Sequence, residues 1–127
     1  MSGGVFLDTS VIIAALTGTS RGCVNLVFGK SLDLHTNDYV LKETYHVLRK
    51  RFGFSEWDVS GAIRQLRERT RVHRNPPVAA FRKLEIRDKA DRPVVYAAMT
   101  LGCMLATLDE KTAKDACRYV KVYLPKD

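Results

Sequence analysis

The 127-residue sequence predicts an α/β fold: a three-layer α/β/α sandwich around a central parallel sheet of about five strands. Three observations carry this. Short apolar runs alternate along the chain with stretches of helical period. Strand–helix–strand alternation needs crossover connections, which give a parallel sheet covered on both faces. No internal repeat, low-complexity tract or Gly/Ser linker interrupts the pattern, so residues 1–127 read as one domain.

The elements follow in order. Val5-Phe6-Leu7 is a short buried strand, and after Asp8-Thr9-Ser10 a helix opens over Val11 to Leu16. Gly22 to Phe28 reads as a second helix, and Leu32 to Thr36 alternates as a strand does. Asn37 or Asp38 can cap a long helix whose stripe is Leu41, Thr44, Tyr45, Leu48 and Phe52, ended by Gly53. Ser55 can cap the next, in which Val59, Ile63, Leu66 and Thr70 recur at helical spacing. Arg71-Val72-His73 is a short strand before the turn at Asn75-Pro76-Pro77, and Val78 to Leu84 is a helical piece. Pro93 suits the first turn of a helix running to Gly102. Cys103 to Thr107 is a buried strand, Lys111 to Tyr119 a helix, and Lys121 to Leu124 a last strand.

Composition narrows the function classes. Hydrophobic residues make up 46% and charged ones 28%, a globular balance and not a disordered one. No run approaches the ~18 apolar residues of a membrane span, and Met1-Ser2-Gly3-Gly4 lacks the basic start of a secretory signal. Cys23, Cys103 and Cys117 are far apart and odd in number. That argues against a disulfide framework or a zinc site and fits a reducing cytoplasm. Lys and Arg total 21 against 14 acids, a net charge of +7, which points to a polyanionic partner, nucleic acid first. Arg64, Arg67 and Arg71 follow helical spacing and could hold RNA backbone. Arg92, next to Asp91, is placed to meet a substrate phosphate. Arg49-Lys50-Arg51 is explained by the dipole at a helix C-terminus. Trp57 and Tyr45 read as core or dimer contacts, and His35, His46 and His73 show no metal spacing and no mark of a general base.

The remaining acids are placed to do chemistry. Asp8 follows the first strand, Asp109 follows the strand ending near Thr107, and Asp91 opens the helix between. Each could be a helix cap, but in a parallel sheet Asp8 and Asp109 share the carboxyl edge, where ligands of open α/β sheets bind. Glu43 sits mid-helix, three residues after Val40 and four before Val47, on an apolar line. A buried carboxylate is costly unless paired or bound to metal, and converging carboxylates repel unless a cation neutralises them. Oxygen ligands without Cys or His suit Mg2+ or Mn2+. An acidic metal pocket in a basic protein is what phosphodiester hydrolysis requires.

Val5-Phe6-Leu7-Asp8-Thr9-Ser10-Val11-Ile12, the mid-helix Glu43 and the segment DRPVVYAAMTLGCMLATLD from Asp91 to Asp109 together resemble a PIN domain. The last segment, an acid, an Ala-rich helix, a Gly turn, a strand and Thr107-Leu108-Asp109, is similar to that of VapC-like toxins and related stand-alone PIN proteins. The resemblance covers essentially the whole chain. It implies a Mg2+- or Mn2+-dependent endoribonuclease whose catalytic and metal-binding acids are Asp8, Glu43, Asp91 and Asp109. Ser10 and Thr107 would orient carboxylates or water, and products would carry a 5′-phosphate and a 3′-hydroxyl. It also implies a homodimer silenced by a cognate antitoxin. One departure is visible: many relatives place another Asp three residues after the T-x-D acid, where this chain has Thr112. Asp115 or Glu110 could substitute, and Asp88 is an alternative ligand. Two other readings stay open, a stand-alone PIN nuclease of RNA maturation or decay and a catalytically silent RNA-binding module. The second predicts missing acids, and all four are present.

Overall fold

The computed structural model describes residues 4–29 and 33–125. The opening Met1 to Gly3 and Leu32 lie outside the described residues. In chain order the elements are β1 (Val5–Leu7), α1 (Thr9–Thr17), α2 (Arg21–Phe28), β2 (Leu34–Asn37), α3 (Asp38–Lys50), α4 (Glu56–Arg69), β3 (Arg71–His73) and α5 (Val78–Phe81). A 3-10 turn (Lys89–Asp91), α6 (Arg92–Leu101), β4 (Met104–Ala106), α7 (Glu110–Ala116) and β5 (Val122–Tyr123) complete the chain.

All strand pairs are parallel, in the order β3-β2-β1-β4-β5. Successive strand side chains point to opposite faces, yet Val5, Phe6 and Leu7 are all buried, Phe6 and Leu7 completely. Both faces of the central strand are therefore covered by helices, as a three-layer α/β/α fold requires. The predicted caps are present: Asn37 Oδ1 accepts from the Val40 N–H at 3.0 Å, and Ser55 Oγ accepts from the Asp58 N–H at 3.0 Å. Gly102, at φ 68°, ends α6 in the left-handed conformation and turns the chain directly into β4. No single described helix is long and apolar enough to cross a membrane; α1 and α2 would pass together only as a pair bent by 100°.

Several expectations need correction at element ends. α3 stops at Lys50, and Phe52 lies beyond it with 46% of its surface exposed, so it is not part of the buried stripe. Trp57 is 84% exposed and is no core residue. α4 ends at Arg69 because Thr70 is extended, its hydroxyl donating to the Leu66 carbonyl at 2.7 Å. Arg71 therefore opens β3 and does not continue an arginine ridge; its Nε stands 3.5 Å from Asp33.

The β2–β3 seam holds a device that sequence spacing does not reveal. Register sets His35 opposite Arg71 and Asn37 opposite His73. His35 Nδ1 and His73 Nε2 are 2.8 Å apart, and His35 Nε2 is 3.0 Å from Asp33 Oδ1. Burial lowers the His73 pKa, helped by the charges of His35 and Arg71. With the folded value below the unfolded one, the unfolded chain binds protons first, so stability rises with pH through this window and is lost as pH falls below about 6.5. A His73→Gln variant should show a urea midpoint that changes less than the wild type's between about pH 7 and about pH 5. Parallel titration of the two would remove this role from His73.

Candidate active site

The chain begins in the middle of the sheet, winds outward through β2 and β3, then returns to the other side of β1 as β4. The strand order thus reverses between β1 and β4, and the crevice at their carboxyl ends is where ligands of open α/β sheets bind. Asp8 is the first residue past β1, its N–H donating to the Ala106 carbonyl at 3.0 Å. It is 6% exposed. The Thr107 hydroxyl donates to Asp8 Oδ2 at 2.7 Å, the Thr9 N–H to Oδ1 at 2.9 Å, and the Ser10 hydroxyl reaches Oδ2 at 3.4 Å. Ser10 Oγ also accepts from the Leu108 N–H, and Thr107 Oγ1 from the Asp109 N–H. These two hydroxyls tie the loop after β1 to the loop after β4 and fix the carboxylate between them. Burial raises the Asp8 pKa, with the Thr107 and Thr9 hydrogen bonds pulling the other way.

Three more acids reach the same place from other elements. Glu43, partly buried in the middle of α3, accepts from the Thr9 hydroxyl at 2.5 Å. Among the described residues no Lys or Arg pairs with it. Asp91 occupies the cap position of α6 but makes no side-chain cap hydrogen bond. Its Oδ2 instead accepts from the Thr112 hydroxyl at 2.8 Å. Burial pushes the Asp91 pKa up to about 6, and the charges of Asp8, Asp88 and Asp109 act in the same direction. Asp109 does cap α7, accepting from the Lys111 N–H at 2.9 Å and the Thr112 N–H at 3.3 Å. The simple capping account therefore covers Asp109, part of Asp8, and not Asp91. All four acids, with Asp88, line one cavity of about 500 Å³. The phenol of Tyr39, pushed up to about 12 by burial and by Glu43, Asp91, Asp88 and Asp8, registers the same negative field.

The donor set fits a hard divalent cation. Glu43 Oε2, Asp91 Oδ1 and Asp109 Oδ2 carry no hydrogen bond among the described residues, and desolvated carboxylates of like charge are what a bound cation relieves. As the side chains stand, no three His, Cys, Asp or Glu of the described residues close to ligating separation; the Thr9 and Thr112 hydroxyls and the α7 backbone hold one carboxylate oxygen each of Glu43, Asp91 and Asp109, and both oxygens of Asp8 are held. Thr112, where the resemblance implies an acid, is buried and serves as the donor to Asp91. Asp115 does not replace it: its carboxylate is committed to Arg87, with Nε 3.0 Å away. Glu110, in the first turn of α7, does not line the cavity.

The predicted basic residues stand elsewhere. The Arg92 guanidinium donates to the Ile86 and Arg82 carbonyls at 3.1 and 3.2 Å, which pins the loop before α6 and keeps it out of the cavity. Arg64 lines a separate depression with Asp58 and Glu68, and Arg67 is exposed on α4; neither borders the acids. Among the described residues, the cation that does line the cavity is Arg51, beside Phe52. Sequence reasoning gave Arg51 to the helix dipole and Phe52 to the apolar stripe, although a signal was there: Glu43, Val47 and Arg51 recur every four residues, one line along a helix.

No protein-family model matches the chain, and no curated protein matches it. Solved structures do. VapC20 of Mycobacterium tuberculosis, a sarcin–ricin-loop-cleaving toxin, superposes with a TM-score of 0.71 at 20% identity, over 94% of this chain and 99% of its own. VapBC2 of Rickettsia felis, bound to a DNA fragment from its promoter, gives 0.71 at 14% identity over 94% and 97%. PAE2754 of Pyrobaculum aerophilum gives 0.67 at 17% over 94% and 83%. Over 94% of its length, the chain has the PIN-like α/β/α fold of the VapC toxins.

Proposed function

We propose that the protein is a metal-dependent endoribonuclease that hydrolyses RNA phosphodiester bonds with water, without a covalent enzyme intermediate. The observation that carries this reading is the meeting of Asp8, Glu43, Asp91 and Asp109, from four separate elements, in one cavity at the switch point of the sheet. Asp8, Glu43, Asp91 and Asp109 would hold Mg2+ or Mn2+. When bound, the cation supplies a nucleophile at neutral pH and neutralises charge at the scissile phosphate. The chain's own part is to keep the carboxylates aimed: Thr107 and Ser10 fix Asp8, Thr9 fixes Glu43, and Thr112 fixes Asp91. The net charge of +7 favours a polyanionic substrate around this acidic centre.

In the cell, we read it as the toxin of a type II toxin–antitoxin pair, a cytoplasmic homodimer with a cognate antitoxin protein as partner. The likeness to VapC structures over nearly the full length of both chains supports this.

Calorimetric titration with Mn2+ tests the chemistry directly. Binding to the wild type should disappear in the Asp8→Asn/Asp91→Asn double variant, and Mn2+-dependent cleavage of RNA should disappear with it. A wild type that takes up no Mn2+, or a double variant that binds as well, would remove the metal site and the nuclease reading together.

A further inference from the structure

Part of the cavity lining has a different character. Ile13, Ala14 and Val47 make it apolar, and its rim is Arg51 and Phe52. Phe52 keeps 46% of its surface exposed although its backbone is fixed. Its N–H donates to the Val47 carbonyl at 3.4 Å, as does that of Arg51 at 2.8 Å. The ring stands edge-on to Phe54, with centroids 6.4 Å apart and planes at 75°, so it is braced on one side and open on the other. Arg49 is occupied by the Phe54 carbonyl and Glu56, whereas Arg51 makes no ion pair among the described residues. A simple anion would want cations around it, and a peptide would want a longer apolar trough. An open aromatic face beside one guanidinium, continuous with carboxylates that would hold a metal, matches a flat base joined to a phosphate.

We propose that Phe52 and Arg51 form the nucleotide subsite of this cavity: one unpaired base of single-stranded RNA stacks on Phe52 while the adjoining phosphate pairs with Arg51. This rests on the ribonuclease reading and adds the two residues that grip the strand. Stacking of a base on an aromatic ring tolerates any base and is lost on truncation.

The test is binding of a short, end-labelled single-stranded RNA in Ca2+ buffer, together with Mn2+-dependent cleavage by the same proteins. Phe52→Ala should bind roughly tenfold more weakly. Phe52→Tyr should bind as the wild type does, and Phe52→Leu as poorly as the Ala variant, because an apolar side chain without a π-face does not replace the stack. Arg51→Gln should lower the salt dependence by about one phosphate contact. Trp57 is the chain's single tryptophan, so Phe52→Trp in a Trp57→Phe background carries one reporter, whose emission should be quenched by the RNA. Wild-type affinity in Phe52→Ala, or full rescue by Phe52→Leu, overturns the subsite while wild-type cleavage leaves the nuclease reading standing. A wild type that neither binds nor cleaves RNA overturns both.

Discussion

Asp8→Asn is expected to lower Mn2+-dependent RNA cleavage by about a hundred- to a thousand-fold while leaving the fold intact. The substitution is isosteric, and its amide oxygen still accepts the Thr9 N–H that Asp8 Oδ1 accepts now. What it removes is a charge at the least exposed acid of the cavity. Charges act more strongly where water is excluded, and loss of one preorganised group in such a site costs about this much in rate. The burial that raises the Asp8 pKa is therefore the same property that makes its charge effective toward a cation. Glu43→Gln should cost less, because Glu43 is only partly buried and held through a single hydroxyl. The measurement is initial cleavage rate at saturating Mn2+, with far-ultraviolet circular dichroism as the control for folding. An Asp8→Asn protein that cleaves at the wild-type rate would reduce Asp8 to the first-turn partner of α1.

Why the acids were legible in the sequence and their neighbours were not has a physical explanation. Asp8 stands immediately after, and Asp109 three residues past, apolar runs too short to be anything but buried strands, and parallel pairing sends both to one edge. Glu43 breaks a helical apolar line. Such signals are local, and the fold rules convert them into positions. The His35–His73 contact is not local: it depends on the β2–β3 register, and a shift of one residue would dissolve it. Arg92 shows the opposite error. Adjacency to Asp91 in sequence implied adjacency in space, but at the start of α6 consecutive side chains diverge, and its guanidinium satisfies two loop carbonyls instead. Phe52 misled because hydrophobicity does not distinguish a core ring from one at a cavity rim; only the end of α3 at Lys50 decides it. Arg71 kept helical spacing across a helix end that Thr70 enforces. Element types were thus readable from composition and period, and side-chain neighbours only where topology alone determined them.

The acids that would hold the metal should cost the metal-free protein stability. Asp91 titrates at about 6 in the folded state against 3.8 ordinarily, chiefly because of burial. A carboxyl with a raised folded value binds its proton more tightly in the folded than in the unfolded chain. Stability therefore falls as pH rises from about 4 to about 6 and stays lowered at neutral pH. The full shift corresponds to about 3 kcal/mol, which solvent screening of this partly exposed group reduces to about 1–2 kcal/mol. Asp91→Asn, which can still accept the Thr112 hydroxyl, should accordingly be more stable than the wild type by about 1–2 kcal/mol near pH 7.5 in EDTA and no more stable near pH 4. The comparison of the two proteins cancels opposing contributions that both share, such as those of His73 and Asp33. Mn2+ should reverse the order, since a ligand bound only by the folded wild type stabilises it by mass action, by about 2.7 kcal/mol at a hundred times its dissociation constant. Urea unfolding at the two pH values, with EDTA and with Mn2+, measures all of this. If Asp91→Asn is the less stable protein near pH 7.5 without metal, the carboxylate is welcome where it stands and the cavity exerts no demand for a cation. If it is the more stable one and Mn2+ rescues only the wild type, the fold gives up stability at Asp91 to keep a site that a cation completes.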